Sequence, residues 1–107
     1  MNMGDKMNYL LSMLKKEEKR NNNMINGYLQ ELESLPKGSI KEKKVNGNNY
    51  YYLNYREGDK VISKYLGKDN DFIVKLKEQL KRRKQIEELL KMLIKERSDI
   101  QKMEAII

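Results

Sequence analysis

The chain predicts an α+β fold: an amino-terminal helix, a three-stranded antiparallel meander and a long carboxy-terminal helix, following one another as residues 1–35, 38–68 and 69–107 of a single domain. Three observations predict it. Apolar residues recur at three- and four-residue steps on both flanks, as one face of an amphipathic helix requires. The block Gly38 to Lys68, GSIKEKKVNGNNYYYLNYREGDKVISKYLGK, gathers five of the seven tyrosines among β-branched residues, the composition of strands. Turn residues divide that block at the two places where hairpins need them.

The first helix is expected over Asp5 to Leu35, with Met7, Leu10, Leu14, Met24, Tyr28, Leu32 and Leu35 on one face. Between Leu14 and Met24 lie only KKEEKRNNN, and asparagine is a poor helix former. The pattern therefore leaves three readings open near Asn21 to Asn23: a thinned helix, a kink, or a break into two helices. Pro36 disfavours helical geometry at Leu35 and Gly38 adds a second breaker, so the segment ends by Leu35.

Ile40 to Val45, Tyr50 to Arg56 and Val61 to Leu66 follow as strands. Asn46-Gly47 supplies two residues tolerant of positive φ for the first turn, and Glu57-Gly58-Asp59 suits a three-residue loop with a bulge. Alternation along the middle strand puts Tyr51, Leu53 and Tyr55 on one face, expected to lie on helix, and Tyr50, Tyr52, Asn54 and Arg56 on the other, expected to be exposed.

After Gly67, Asp69 or Asn70 can cap the last helix. Its apolar positions Phe72, Ile73, Leu76, Leu80, Ile86, Leu89, Leu90, Leu93, Ile94, Ile100 and Met103 run almost to the end of the chain. At 1.5 Å per residue it approaches roughly 55 Å, longer than a small sheet covers, so its distal half needs a partner. Ile86, Leu89, Leu93, Ile100, Met103 and Ile107 fit a heptad seam interrupted by Glu96. The first helix, folding back antiparallel, and a second copy of the chain both satisfy that seam.

With 107 residues the chain has little room for a separate catalytic module. It has no cysteine and no histidine, which removes disulfides, thiolate nucleophiles, the usual zinc ligands and imidazole acid–base chemistry. Its carboxylates are scattered among Lys and Arg at helix-surface spacings, the pattern of a solvated, salt-bridged face. The expectation is a protein that is not an enzyme, with no catalytic residue, no metal and no cofactor. The amino terminus has only a brief apolar run ended by KKEEKR and no small-residue cleavage site, and no stretch is long enough to span a membrane. A soluble, cytoplasmic protein without membrane association is expected.

Charge is the best functional clue. Residues 1–36 are net neutral, residues 85–107 carry net minus one, and residues 37–84 carry net plus eight. The excess lies on the meander and on Lys81, Arg82, Arg83 and Lys84. Lys and Arg neutralise phosphates, and Tyr stacks on bases or donates to phosphate oxygens, so a basic surface beside exposed tyrosines suits a polyanion. The structural explanations are a lysine- and asparagine-rich composition, cross-strand packing for the tyrosines, a solvated helix face for KRRK, and lysines that keep edge strands from aggregating.

The run LPKGSI and the segment KKVNGNNYYYLNYREGDKVISKYLGK, together Leu35 to Lys68, resemble a family of small uncharacterised bacterial and archaeal proteins. In that family LPxGS precedes a YYYLxYREGxKxxSKYLGK-type segment and a charged helix. The family brings no established activity, and this chain lacks the CGxxxCxC-like cysteines of many of its relatives, and with them a metal-ligand set. The meander is also similar to the arm-site DNA-binding domains of tyrosine recombinases, where a three-stranded sheet enters the major groove. That similarity implies that Lys41, Lys43, Tyr50, Tyr52, Arg56 and Lys64 face DNA.

The expected function is nucleic-acid binding by a basic protein, in which Arg56, Lys64, Lys81, Arg82, Arg83 and Lys84 neutralise phosphate, joined by Lys41 and Lys43, while Tyr50 and Tyr52 stack or hydrogen bond. The expected partner is nucleic acid or a nucleoprotein complex, with a homodimer through the helices as a further possibility. The alternative is a protein-interaction module, either an antitoxin-like adaptor or a phage or mobile-element inhibitor of a nucleoprotein defence complex. Strong salt dependence marks the first, and capture of a protein without nucleic acid marks the second.

Overall fold

A computed structural model describes residues 2–107. The order is α1 (Met3–Glu33), β1 (Ser39–Val45), β2 (Asn48–Glu57), β3 (Lys60–Gly67) and α2 (Asp71–Ile106), the expected α+β arrangement with strand order β1-β2-β3. The described residues form two compact units. One joins the residues up to Glu33 with Ile86–Ile107, and the other is Ser34–Gln85. No helix is long and apolar enough to cross a membrane among the described residues.

In the helical unit α1 runs unbroken through Asn21, Asn22 and Asn23, so the break into two helices that the sequence left open does not occur. The helix also starts earlier than expected, because Asn2 caps it: its Oδ1 accepts from the Asp5 amide at 2.9 Å. The empty stretch of the stripe turns out to be occupied. Leu11, Leu14, Glu18, Asn21, Ile25, Tyr28 and Leu32 are the less exposed positions, and their alternating three- and four-residue spacing is a heptad seam in which two members are polar. Asparagine usually weakens a helix by bonding its own backbone. Asn21 is instead fully buried, and its Nδ2 donates to the Leu93 carbonyl at 2.8 Å.

That bond identifies the partner of the distal half of α2: α1 of the same chain, antiparallel. Arg20 to Glu96 at 3.1 Å and Lys15 to Glu104 at 2.9 Å keep the same register. On the distal half of α2 the buried positions are Ile86, Leu90, Leu93 and Ile100. Leu89 is half-buried, while Met103 and Ile107, expected in the seam, are exposed. Glu96, read as an interruption, accepts from both Arg20 and Asn21.

In the second unit Asn46 and Gly47 both adopt positive φ, 51° and 81°, as a two-residue type I′ hairpin needs. The second hairpin differs from the expected three-residue loop. Glu57 pairs with Lys60, leaving a two-residue turn with Gly58 at φ 60°. The bulge lies at the other end of this strand pair, where Tyr52 opposes Tyr65 but Tyr51 opposes Gly67, so Leu66 is the extra residue. Of the two candidate caps for α2, Asn70 serves: its Oδ1 accepts from the Ile73 amide at 3.1 Å. The core of this unit is Tyr51, Ile73 and Leu76, with the Lys77 ammonium 4.8 Å from the Tyr51 ring centre. The face that carries Tyr51 is thus the one covered by the first turns of α2.

Candidate nucleic-acid interface

Strand register assigns every side chain of the meander to a face, because residues directly opposite in an antiparallel pair point the same way. Glu42 pairs with Tyr51 and Ile40 with Leu53, while Ile62 pairs with Tyr55 and Lys64 with Leu53. These lie on the helix-covered face. The opposite, open face follows from Ser39 and Ser63 against Asn54, Lys41 and Tyr65 against Tyr52, Lys43 against Tyr50, and Val61 against Arg56.

The strand carboxylates lie on one face, whereas cations stand on both. Glu42, and Glu57 at the end of β2, share a face with Tyr51, Leu53 and Tyr55, and with Lys44, Lys60 and Lys64. The open face has Lys41, Lys43 and Arg56 and no carboxylate. Tyr51 belongs to the core, where burial pushes its phenol up from the ordinary tyrosine value and the carboxylates of Glu42 and Asp69 add to the shift.

Tyr50 and Tyr52, expected to stand exposed, are half-buried because they pack on a third ring. Tyr65 lies 5.3 Å from Tyr52 and 6.4 Å from Tyr50, between centroids and tilted to both, the spacing of favourable aromatic pairs. Tyr65 itself is 56% exposed. The Lys43 ammonium rests 5.1 Å from the centre of the Tyr52 ring, and that of Lys68 rests 5.8 Å from Tyr50. Reading the residues singly missed Tyr65 and Lys68. The sequence signal that finds them is register: Tyr65 shares a face with Tyr52 once β3 is laid antiparallel to β2 from the Gly58 turn.

Beyond the tyrosines, the same face leads to a shallow cleft of about 400 Å³ lined by Lys37, Gly38, Ser39, Asn54, Tyr55, Arg56 and Val61. Gly38 shapes its wall. A Cβ at this position would stand 2.5 Å from the Asn54 carbonyl oxygen, and φ is +120°, so only glycine lets the chain close so tightly on β2. The Asn54 Oδ1 is shielded from solvent and has no donor.

The structure therefore brings Lys41, Lys43, Tyr50, Tyr52 and Arg56 together. Lys64 is exposed but points from the other face. The four residues of KRRK lie on α2, which covers that other face. Lys81 and Lys84 are exposed, whereas Arg82 and Arg83 are half-buried, and Arg83 Nη1 donates to the Leu35 carbonyl at 3.1 Å. Arg83 thus ties α2 to the segment entering β1. Among the described residues no group of three carboxylates is placed to hold a metal ion.

A family model described as Domain of unknown function (DUF6788) matches residues 10–75. This is more than half of the chain and includes the Leu35–Lys68 segment. No curated protein and no solved structure matches the chain.

Proposed function

We propose that this chain, which belongs to the family described as Domain of unknown function (DUF6788), is a non-enzymatic protein that binds nucleic acid through the open face of its meander. One observation carries the reading: cations and tyrosines share a face from which carboxylates are absent. Strand lysines stand on both faces, whereas Glu42 and Glu57 both fall on the face that carries Tyr51, so the open face keeps its positive charge unopposed. The rings offer π-faces to bases, and the ammonium groups of Lys43 and Lys68, resting on those rings in the free protein, are long enough to turn to phosphates when a base takes their place. Lys81 and Lys84, on the other side of this unit, are a separate basic patch and not part of the same platform.

The test is electrophoretic mobility of labelled double-stranded DNA, single-stranded DNA and RNA with nuclease-treated protein across a salt series. Micromolar or tighter binding at near-physiological salt, weakened by Lys43→Ala and Arg56→Ala more than by Lys64→Ala, supports the open face. Equal losses for all three variants, or binding that vanishes without preference at moderate salt, would reduce the basic charge to a compositional feature.

A second reading, self-association, is favoured by the helical unit. Because Lys15 pairs with Glu104, the turns of α1 before Lys15 lie beyond the last turns of α2. They leave Met3, Met7, Leu10 and Met13 exposed, and Met103 and Ile106 in the last turns of α2 are exposed as well. These turns have only Asp5 and Lys6 as charged residues, so a second copy meets no like-charge repulsion there, and Met7 continues the seam of Leu11 and Leu14. A mass that rises with concentration in sedimentation and falls back in Leu10→Glu supports this reading. A monomer throughout the micromolar range removes it.

A further inference from the structure

Resting on the nucleic-acid reading, we infer that the cleft beside Arg56 is a phosphate subsite for the same strand whose bases lie on Tyr52 and Tyr65, so that the open face takes unpaired nucleic acid in preference to a duplex. Three features meet here.

The first is the lining of the cleft. Lys37 and Arg56 bring two cations, Ser39 a hydroxyl donor, and no carboxylate is among its residues. A shallow, carboxylate-free cleft whose lining residues include an arginine, a lysine and a serine suits a phosphoryl group, which the planar fork of Arg can grip.

The second is collinearity. Tyr52, Asn54 and Arg56 are alternate residues of one strand and project from one face, so at ~3.4 Å per residue the near wall of the cleft at Asn54 lies about 7 Å from Tyr52 and Arg56 lies about 14 Å from it. That span matches about four stacked nucleotides of one strand. A ligand that engages both ends therefore needs only a short segment.

The third is the state of the rings. In a duplex every base face is already stacked, and a protein meets only phosphates, sugars and base edges. Three mutually packed tyrosines, with Tyr65 the most exposed of them, offer what an unpaired base can use and a paired one cannot. The phenol hydroxyls can serve a duplex or a single strand alike, but the ring faces can serve only an unpaired base.

The experiment is fluorescence anisotropy with a short labelled single strand, with and without its complement, and with a 5′-phosphate or a 5′-hydroxyl. Preference for the single strand is expected, together with an about tenfold loss in Tyr65→Leu as one base–aromatic stack is removed. Tyr65→Phe should retain affinity. Arg56→Gln and Lys37→Gln should each flatten the salt dependence by about 0.7 in log–log slope, one phosphate contact each. A loss in these two variants that appears only with the 5′-phosphate assigns the cleft to a strand end, and a loss with both ends assigns it to an internal phosphodiester. Duplex bound as tightly as single strand, with Tyr65→Leu silent, overturns the strand preference while leaving the nucleic-acid reading standing. An unchanged slope in both charge variants overturns the subsite. No binding to any probe overturns this inference and the function together.

Discussion

Asn21 donates its amide to the Leu93 carbonyl at 2.8 Å from a fully buried position in the helix seam, while its own Oδ1 finds no donor. A half-satisfied buried amide fixes register at a cost in stability. Asn21→Ala, which removes the bond and leaves a void, should destabilise the chain by about 1–3 kcal/mol. Asn21→Leu should be as stable as the parent or more so, with its helices less firmly held to one register. Urea midpoints and amide exchange check both, and a large loss in Asn21→Leu would show that the amide's bonds to Leu93 and Glu96 outweigh the orphaned oxygen.

Gly38 and Gly47 both have positive φ, but only Gly38 meets other atoms where a Cβ would stand. Gly47→Ala should lose about 1–2 kcal/mol, the left-handed backbone alone. Gly38→Ala should lose more than Gly47→Ala, because the new methyl would meet the Asn54 carbonyl, and the cleft should open with it. Thermal melts of the two variants side by side decide the order, and equal losses contradict the close approach.

Glu18, Glu104 and Lys15 form a small titrating group on the helix pair. Hydrogen bonding to Glu104 holds the Glu18 carboxyl above its ordinary value, whereas the Lys15 ammonium holds Glu104 below it. Glu18 binds its proton more tightly folded than unfolded, so it adds stability as pH falls through its raised value. Glu104 does the reverse, and its contribution is lost as pH falls below the usual glutamate value of about 4.3. The melting temperature should therefore be highest in mildly acidic solution. Glu18→Gln should remove the decline from that maximum toward neutral pH, as read from the difference between the two melting curves. Parallel curves at all pH values contradict the pair.

Arg83 and Lys84 are neighbours in sequence with different work. Arg83→Ala breaks the bond to the Leu35 carbonyl and should lower stability by about 1–3 kcal/mol. Lys84→Ala, at an exposed position, should leave stability within about 0.5 kcal/mol. Calorimetry separates them, and the same pair in the mobility assay shows whether any loss of affinity follows charge or follows unfolding.

The order of elements was legible because periodicity, turn residues and Pro36 speak through short-range rules. The faces of the middle strand were legible for the same reason. The helix seam was not, because two of its positions are filled by Glu18 and Asn21, and an apolar stripe cannot be followed through residues that enter the core by hydrogen bonding across it. The Arg83 bond to the Leu35 carbonyl was hidden for a related reason: a basic run shows charge, but not which of its members the fold also uses. Tyr65 was overlooked because a face belongs to a sheet and not to a strand, and only the register joins it to Tyr52.

The chain has no tryptophan, and three of its seven tyrosines stand together on the open face. Its near-ultraviolet emission is thus weighted toward a single patch of surface. A molecule settling on that patch alters almost half of the emitting groups at once, so occupancy can be followed by the protein's own light, without a label on either partner.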